Sequence, residues 1–408
     1  MIGAFYLSIF RVDEDTFFKS QERSLMIYLD HAATTPMSSK ALEVYVNVAK
    51  HYFGNASSLH DEGSAAKQIL EASAKTIAST LNARPQDVHF TSGATEGNNL
   101  AINSLLKAKQ GRHIITSEIE HSSVRNVFIK LEQEGYEVTR LAVDESGFIK
   151  FKILEESIRK DTALVSLQHV NSEIGTIQEI QKIGSFLQKQ GTLFHSDCVQ
   201  SYGRLPLDIE TLNVDALTIS SHKIYGPKGA GAVWMNPKVN WRSVFPDHDN
   251  TSRFRAGTAD VPSIAAFAIA AKERISERES EQERIRTFKE KLLSEIKKME
   301  FEVEAEGASQ QSVPNILGLR FPGMEGQFMM LECNQAGLAI STGSACQAGS
   351  DKPNKTMVAL GKNEQEAREF IRLSFGKENE EHQIPLIIEK MNGILNRHFD
   401  KVNYYRTK

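Results

Sequence analysis

Two short segments carry the groups best suited to covalent chemistry: His195-Ser196-Asp197-Cys198-Val199-Gln200 and Ser220-Ser221-His222-Lys223. Each stands at or just after the end of an apolar, strand-like run, and ligand sites in open α/β sheets gather at the carboxyl ends of strands. A lysine there can condense with an aldehyde. A carboxylate can pair with the protonated nitrogen of a pyridine ring, which lets the ring accept electrons from a carbanion. Asp197 and Lys223 are therefore a pair that could bind pyridoxal 5'-phosphate. Taken singly, Asp197 reads as a turn residue and Lys223 as a surface charge.

Other segments offer complementary chemistry. TSGATEGNN, residues 91–99, is a glycine-containing turn running into a helix, whose first free N–H groups suit a phosphate; an ordinary helix cap explains the bare pattern equally well. Cys346 lies in STGSACQAGSDKPNK, a polar stretch rich in Ser, Gly and Lys that reads as an exposed loop. A cysteine is more often buried as a small hydrophobe, so one on a polar loop invites a reactive role, with the thiolate as nucleophile. Cys198 and Cys333 read as packing.

The elements that must position these groups alternate. Helical stretches at 64–81, 96–107, 124–133 and 180–190 separate strand-like runs at 88–91, 113–116, 137–141, 163–168, 192–196, 216–220 and 231–235. This alternation predicts a largely parallel sheet with helices on both faces. After about residue 260 the pattern changes to one long charged helical stretch, 264–299. Short strands near 316–321 and 371–375 and a closing helix near 386–399 follow, with Pro385 at the helix start, where a missing N–H costs nothing. The charge run 273–298 reads as a solvated helix face. The expected organisation is a large domain, 41–264, and a smaller α+β domain built from 26–40 and 265–408.

Composition narrows the class. With 408 residues, 25% charged and 40% apolar, the chain has the make-up of a globular protein able to bury a substantial core. The net charge of −4 gives no basic excess for nucleic acid and no polybasic surface for a membrane. Three cysteines do not make a disulfide framework and fit a reducing compartment, so a cytoplasmic location is expected. Residues 1–25 lack the basic start of a signal peptide and are too short in apolar run to span a bilayer. A new style of sequence, MIYLDHAATTP, begins at Met26, and residues 1–25 read as an extension that is loosely attached or not native.

In chain order, TSGATEGNN, EIEHSSV, HVNSEIG, HSDCVQ, SSHKIYGPKGAGA and STGSAC resemble the motif series of cysteine desulfurases of the NifS/IscS type, class V relatives of the aminotransferases. The resemblance covers about residues 26–400. It implies the α/β architecture of pyridoxal-phosphate fold type I, the aspartate aminotransferase-like fold, with a mostly parallel mixed sheet. It implies conversion of L-cysteine to L-alanine, with sulfur passed to Cys346 as a persulfide. Lys223 is then the covalent anchor and the base at the substrate Cα, and Asp197 the partner of the ring nitrogen. His121 stacks on the ring and moves protons, a task suited to imidazole. Gln200 bonds the phenolic oxygen. Ala94, Thr95, Ser220 and His222 bind the phosphate. Asn171 lies near cofactor and substrate, and Arg372 grips the substrate carboxylate with its planar fork.

Asn55 in FGNASS resembles a substrate-side asparagine, although Ala56 replaces the usual proline. Thr258 resembles the threonine that reaches the phosphate held by a second copy, which implies a homodimer. The family's Gly-Gly-x-Gln-Glu stretch before Arg-x-Gly-Thr is altered here to PDHDNTSRFRAGT; Arg255, Gly257 and Thr258 remain. The implied partner is a sulfur acceptor: an iron–sulfur scaffold, a tRNA thiolation enzyme or quinolinate synthase. Selenocysteine lyase or other class V chemistry on the same site is the alternative enzyme, opposed by Cys346 within STGSAC. A non-catalytic partner protein on the same scaffold is the alternative class, supported only by the altered 246–252 loop.

Overall fold

The computed structural model describes residues 26–245, 254–308, 310–343 and 352–406, with side chains to residue 400. The extension expected at 1–25, the altered loop at 246–252 and Cys346 lie outside the described residues.

The chain enters through β1 (Ile27–Tyr28), then α1 (Ser39–His51) and α2 (Asp61–Ser79). Seven strands follow: β2 (Val88–Thr91), β3 (His113–Ser117), β4 (Glu137–Leu141), β5 (Thr162–Gln168), β6 (Leu193–Asp197), β7 (Ala216–Ser220) and β8 (Gly231–Met235). They form one sheet in the order β2-β8-β7-β6-β5-β3-β4. Neighbours from β7 through β4 run parallel, whereas β8 is antiparallel to both β7 and β2. The central strands are buried along their whole length. Helices cover both faces, which is why these strands read as continuous apolar runs and not as alternating ones. Leu217 and Ile219 pack into one core and Ala216 into the other, as the period of two requires.

Three helices carry the site. α3 (Ala94–Leu106) follows β2, α4 (Ser122–Gln133) follows β3, and α5 (Ile180–Gln190) leads into β6. Their expected positions agree with the sequence to within a few residues. The stretch 264–299 differs: it is two helices, α6 (Val261–Ser276) and α7 (Arg278–Ile296), broken at Glu277. The break falls where the burial partner changes. Ala266 and Ala270 of α6 pack on Ala41 of α1, while Ile285, Phe288, Leu292 and Ile296 of α7 enter a separate core. The charge run is thus more than a solvated face. Arg274 is buried and lies 3.7 Å from Glu281, and the apolar spacing of α7 points its inner stripe at a sheet.

That sheet is antiparallel, β12 (Phe370–Ser374), β10 (Ile316–Arg320) and β9 (Glu304–Glu306), beside a two-stranded parallel pairing of β1 with β11 (Leu338–Ala339). Helices α7, α8 (Gly326–Gln335) and α9 (Ile384–Arg406) pack around it. Pro385 is the second residue of α9, after a 3₁₀ turn at Glu381–Gln383. From β1 the chain crosses back to the large sheet: Leu29 N–H bonds Ala339 O at 2.8 Å, and Thr35 N–H bonds His222 O at 2.9 Å. This strap joins the two sheets at the functional site. No described helix is long and apolar enough to cross a membrane.

Candidate active site

A cavity of about 440 Å³ opens at the carboxyl ends of β5, β6 and β7 and is closed by the strap and by β12. Lys223, Asp197, His121, Gln200, Ser220 and Arg372 all line it. A larger groove of about 870 Å³ lies at the other end of these strands, beside Asp215 and Trp234, and contains none of these residues.

Asp197 ends β6 and is 6% exposed. Its carboxylate accepts from Asn98 Nδ2 at 2.9 Å and from Val199 N–H at 3.0 Å. These bonds fix the group as an acceptor that can receive the N–H of a protonated ring. Lys223 lies in the 3₁₀ turn Ser221–Lys223 after β7. Its Nζ donates to Ala32 O and Ala33 O, both at 2.6 Å. Burial lowers the amine from its usual range to about 7, with the charges of Arg372 and Arg204 acting in the same direction. A neutral amine near working pH is what condensation and proton transfer need.

His121 is the N-cap of α4, and its Nδ1 accepts from Ser123 N–H at 3.1 Å, which puts the proton of the neutral ring on Nε2. Burial lowers its pKa, opposed by the nearby Asp197. His222 is pushed down to about 3, first by burial and then by the cations Lys223 and Lys228, so it is neutral. Gln200 donates to Ala32 O at 3.0 Å and accepts from Arg204.

The end formed by β2 and β7 fits a phosphate. Gly93, at φ +142°, turns the chain into α3, and no side chain caps the helix. The N–H groups of Ala94 and Thr95 begin that uncapped turn, which carries the positive end of the helix dipole. Ser220 Oγ is buried and has no partner among the described residues, a position that costs free energy unless a ligand fills it. Gly231 pairs with both Thr91 and Ser220, so β8 joins the two halves of this cradle.

Arg372, on β12, is 1% exposed. It donates from Nη2 to Asp30 at 2.6 Å and from Nη1 to Ser172 O at 3.0 Å, while its Nε–H has no described partner. Nε is therefore the guanidinium nitrogen left without a partner among the described residues.

Three expected residues are not brought into the cavity. Asn171 gives its side chain to a turn: Oδ1 accepts from Glu173 and Ile174 N–H, and Nδ2 donates to Ile119 O. Asn55 is exposed, with Oδ1 accepting from Ser57 N–H at 3.0 Å. Thr258 is also exposed and does not line the cavity of its own chain. Conversely, sequence reasoning gave no role to Asn98, Asp30 or the carbonyls of Ala32 and Ala33. Asn98 stood inside TSGATEGNN and the others inside LDHAATTP, whose small and polar residues straight after a strand were the available signal.

Residues 27–387 match the family model described as aminotransferase class-V, and the chain belongs to that family of pyridoxal-phosphate enzymes. The relatives narrow the class to the cysteine desulfurases. The chain is 46% identical over 367 residues to a putative cysteine desulfurase NifS of Bacillus subtilis (strain 168), covering 89% of this chain and 93% of that protein. Among solved structures it resembles a NifS-like protein with a TM-score of 0.85 and 29% identity, covering 91% of this chain and 99% of that one. It also resembles SspA in complex with cysteine, with a TM-score of 0.75 and 32% identity, over 85% of this chain and 98% of that one.

Proposed function

We propose that this enzyme converts L-cysteine to L-alanine and that Cys346 receives the sulfur as a persulfide. The observation that carries the reading is the convergence of Lys223, Asp197 and Arg372 on one cavity. Pyridoxal phosphate bound there supplies an electron sink for the carbanion formed at the substrate Cα. Lys223 would be the covalent anchor and, when free, the amine able to take up and give back the Cα proton. Asp197 would pair with the protonated ring nitrogen. His121, with its proton on Nε2, would lie against the ring, and Gln200 would bond the phenolic oxygen. The Ala94 and Thr95 N–H groups, Ser220 and His222 would hold the phosphate. Arg372 orients the substrate through its carboxylate.

The sulfur step falls to Cys346 on chemical grounds. Burial pushes the thiols of Cys198 and Cys333 up to about 12, so neither supplies a thiolate near neutral pH. The Cys346 thiolate forms a bond to the substrate sulfur as the carbon–sulfur bond breaks, with the electron pair passing to the carbon fragment. A sulfur-acceptor protein then takes the persulfide sulfur. The similarity to SspA, a protein solved in complex with cysteine, supports the substrate. The exposure of Thr258 away from its own cavity supports a homodimer in which it serves the other copy. The sparse cysteines support a cytoplasmic location.

The test is Cys346→Ser. It should retain the visible cofactor band and lose sulfide release, because a hydroxyl is a poor nucleophile toward sulfur. Cys198→Ser and Cys333→Ser should keep most activity. Alanine and sulfide formed by Cys346→Ser at the wild-type rate would reject the persulfide route in favour of direct expulsion of sulfur or selenium. Borohydride reduction should fix the cofactor on Lys223 and not on Lys228.

A further inference from the structure

The proposed phosphate cradle contains no lysine or arginine. Two backbone N–H groups, a serine hydroxyl and an imidazole whose protonation burial disfavours supply its hydrogen bonds. A phosphate monoester carries about −1.5 to −2 at neutral pH, and a helix N-terminus offers only about half a positive charge. The first turn of α3 also brings a carboxylate, Glu96, which accepts from Arg255 Nε at 2.9 Å and Ser92 N–H at 2.5 Å. Arg255 is therefore already matched.

The cavity is lined by three lysine or arginine residues among those described: Lys223, Lys228 and Arg372. Arg372 is matched by Asp30 at 2.6 Å. The Lys223 amine is held by two carbonyls and becomes the covalent anchor. Lys228 makes no hydrogen bond or ion pair among the described residues, although it borders the cavity with Gly229. Its place in the fold is set by the strand that follows it. Three residues on, Gly231 pairs with Thr91 and Ser220, and a Cβ on Gly231 would lie 2.9 Å from Gly93 Cα. The segment carrying Lys228 thus leads into β8 at the same end as the Gly93 turn and Ser220.

We propose that Lys228 is the residue whose positive charge balances the cofactor phosphate, and so sets the preference of the site for the phosphorylated cofactor over pyridoxal. This rests on the phosphate placement proposed for Ala94, Thr95, Ser220 and His222. A lysine suits the task because a compact ammonium on a flexible stem acts as a point charge. It reaches in from an exposed position, and its removal leaves no buried cavity.

The test strips cofactor from the full-length protein with hydroxylamine and titrates wild type, Lys228→Met, Lys228→Arg and Ser220→Ala with pyridoxal phosphate and, separately, with pyridoxal. The readout is the visible absorption of the Lys223 adduct, and thermal melts check folding. Lys228→Met should weaken pyridoxal phosphate about tenfold or more, leave pyridoxal unchanged and flatten the salt dependence of phosphate-cofactor binding. Lys228→Arg should restore most of the loss. Equal weakening for both cofactors, or no weakening for either, overturns the role of Lys228. Ser220→Ala distinguishes the role of Lys228 from the placement of the phosphate. If it lowers the phosphate preference while Lys228→Met does not, the inference about Lys228 fails alone. If neither changes the preference, the phosphate placement fails as well.

Discussion

The Asp30 carboxylate lies 2.6 Å from Nη2 of Arg372, tying the strap after β1 to β12, which carries the proposed substrate clamp. Arg372 is almost wholly buried and Asp30 one-fifth exposed, with side-chain exposures of 2% and 20%. The strap also binds Lys223 through the Ala32 and Ala33 carbonyls. One short segment therefore holds both Lys223 and Arg372, the proposed anchor and clamp.

Asp30→Ala should leave a buried guanidinium without its carboxylate and destabilise the protein by about 2 kcal/mol, less than for a fully buried pair. The change would be read as a lower urea midpoint. Arg372→Lys should keep the charge but lose the planar fork, raising KM for L-cysteine about tenfold or more with the cofactor band intact. An unchanged KM would remove Arg372 from the substrate.

Gly231→Ala should disturb the phosphate cradle from behind. The new Cβ would sit 2.9 Å from both Gly93 Cα and Ile219 O, and both are backbone that cannot swing away. The expected cost is about 1–3 kcal/mol, typical of overpacking, with faster cofactor loss on dialysis. Retention of wild-type melting and cofactor content would show that β8 can shift freely there.

The middle of the large sheet was legible because doubly covered strands leave apolar runs that periodicity can find, and β7 and β8 fall where those runs stand, whereas the edge strands β2 and β4 are only partly buried. The break at Glu277 was not. Helix propensity is continuous across it, and only the exchange of one core for another ends α6. The same distinction holds at the site. Asp197 and Lys223 stand at strand ends, where a strand-based reading looks for chemistry. Asp30 acts through Arg372, whose residue number is remote from it, and no local spacing announces such a pair. Asn171 shows the converse: a polar residue within a motif whose side chain folds back to close its own turn.

Lys223 should make cofactor-free protein pH-dependent in a defined sense. Its amine titrates at about 7 when folded, against about 10.4 for a lysine in an unfolded chain. Between these values the unfolded chain binds the extra proton, so stability rises with pH across that window. Lys223→Met abolishes this contribution. The variant should be more stable than cofactor-free wild type below pH 7, with the gap closing as the pH approaches 10. A gap constant with pH would mean that the wild-type amine is not held neutral by burial.

Glu120 precedes His121 and carries the opposite signature. It is 3% exposed, and its Oε1 accepts from Ser117 Oγ at 2.5 Å and from Gln168 N–H at 3.1 Å. Its Oε2 has no partner among the described residues. Burial first, and then the charge of Asp197, raises its pKa to about 8, against the two hydrogen bonds that favour the anion. The carboxyl is therefore protonated at neutral pH, joining the ends of β3 and β5 as a neutral group. An unfolded glutamate titrates near 4.3, so between about pH 4 and 8 the folded state holds the extra proton and stability falls as pH rises. Glu120→Gln mimics the protonated form and does not titrate. Its stability relative to wild type should increase steadily from pH 5 to pH 8 and level off above that, measured by urea unfolding at fixed ionic strength. The cofactor band should persist, since a neutral group of the same shape still accepts from Ser117 and Gln168. Glu120→Leu cannot accept those bonds and should lose cofactor by displacing the His121 turn. A Glu120→Gln difference that is flat across this range would show that Glu120 is ionised in the folded protein.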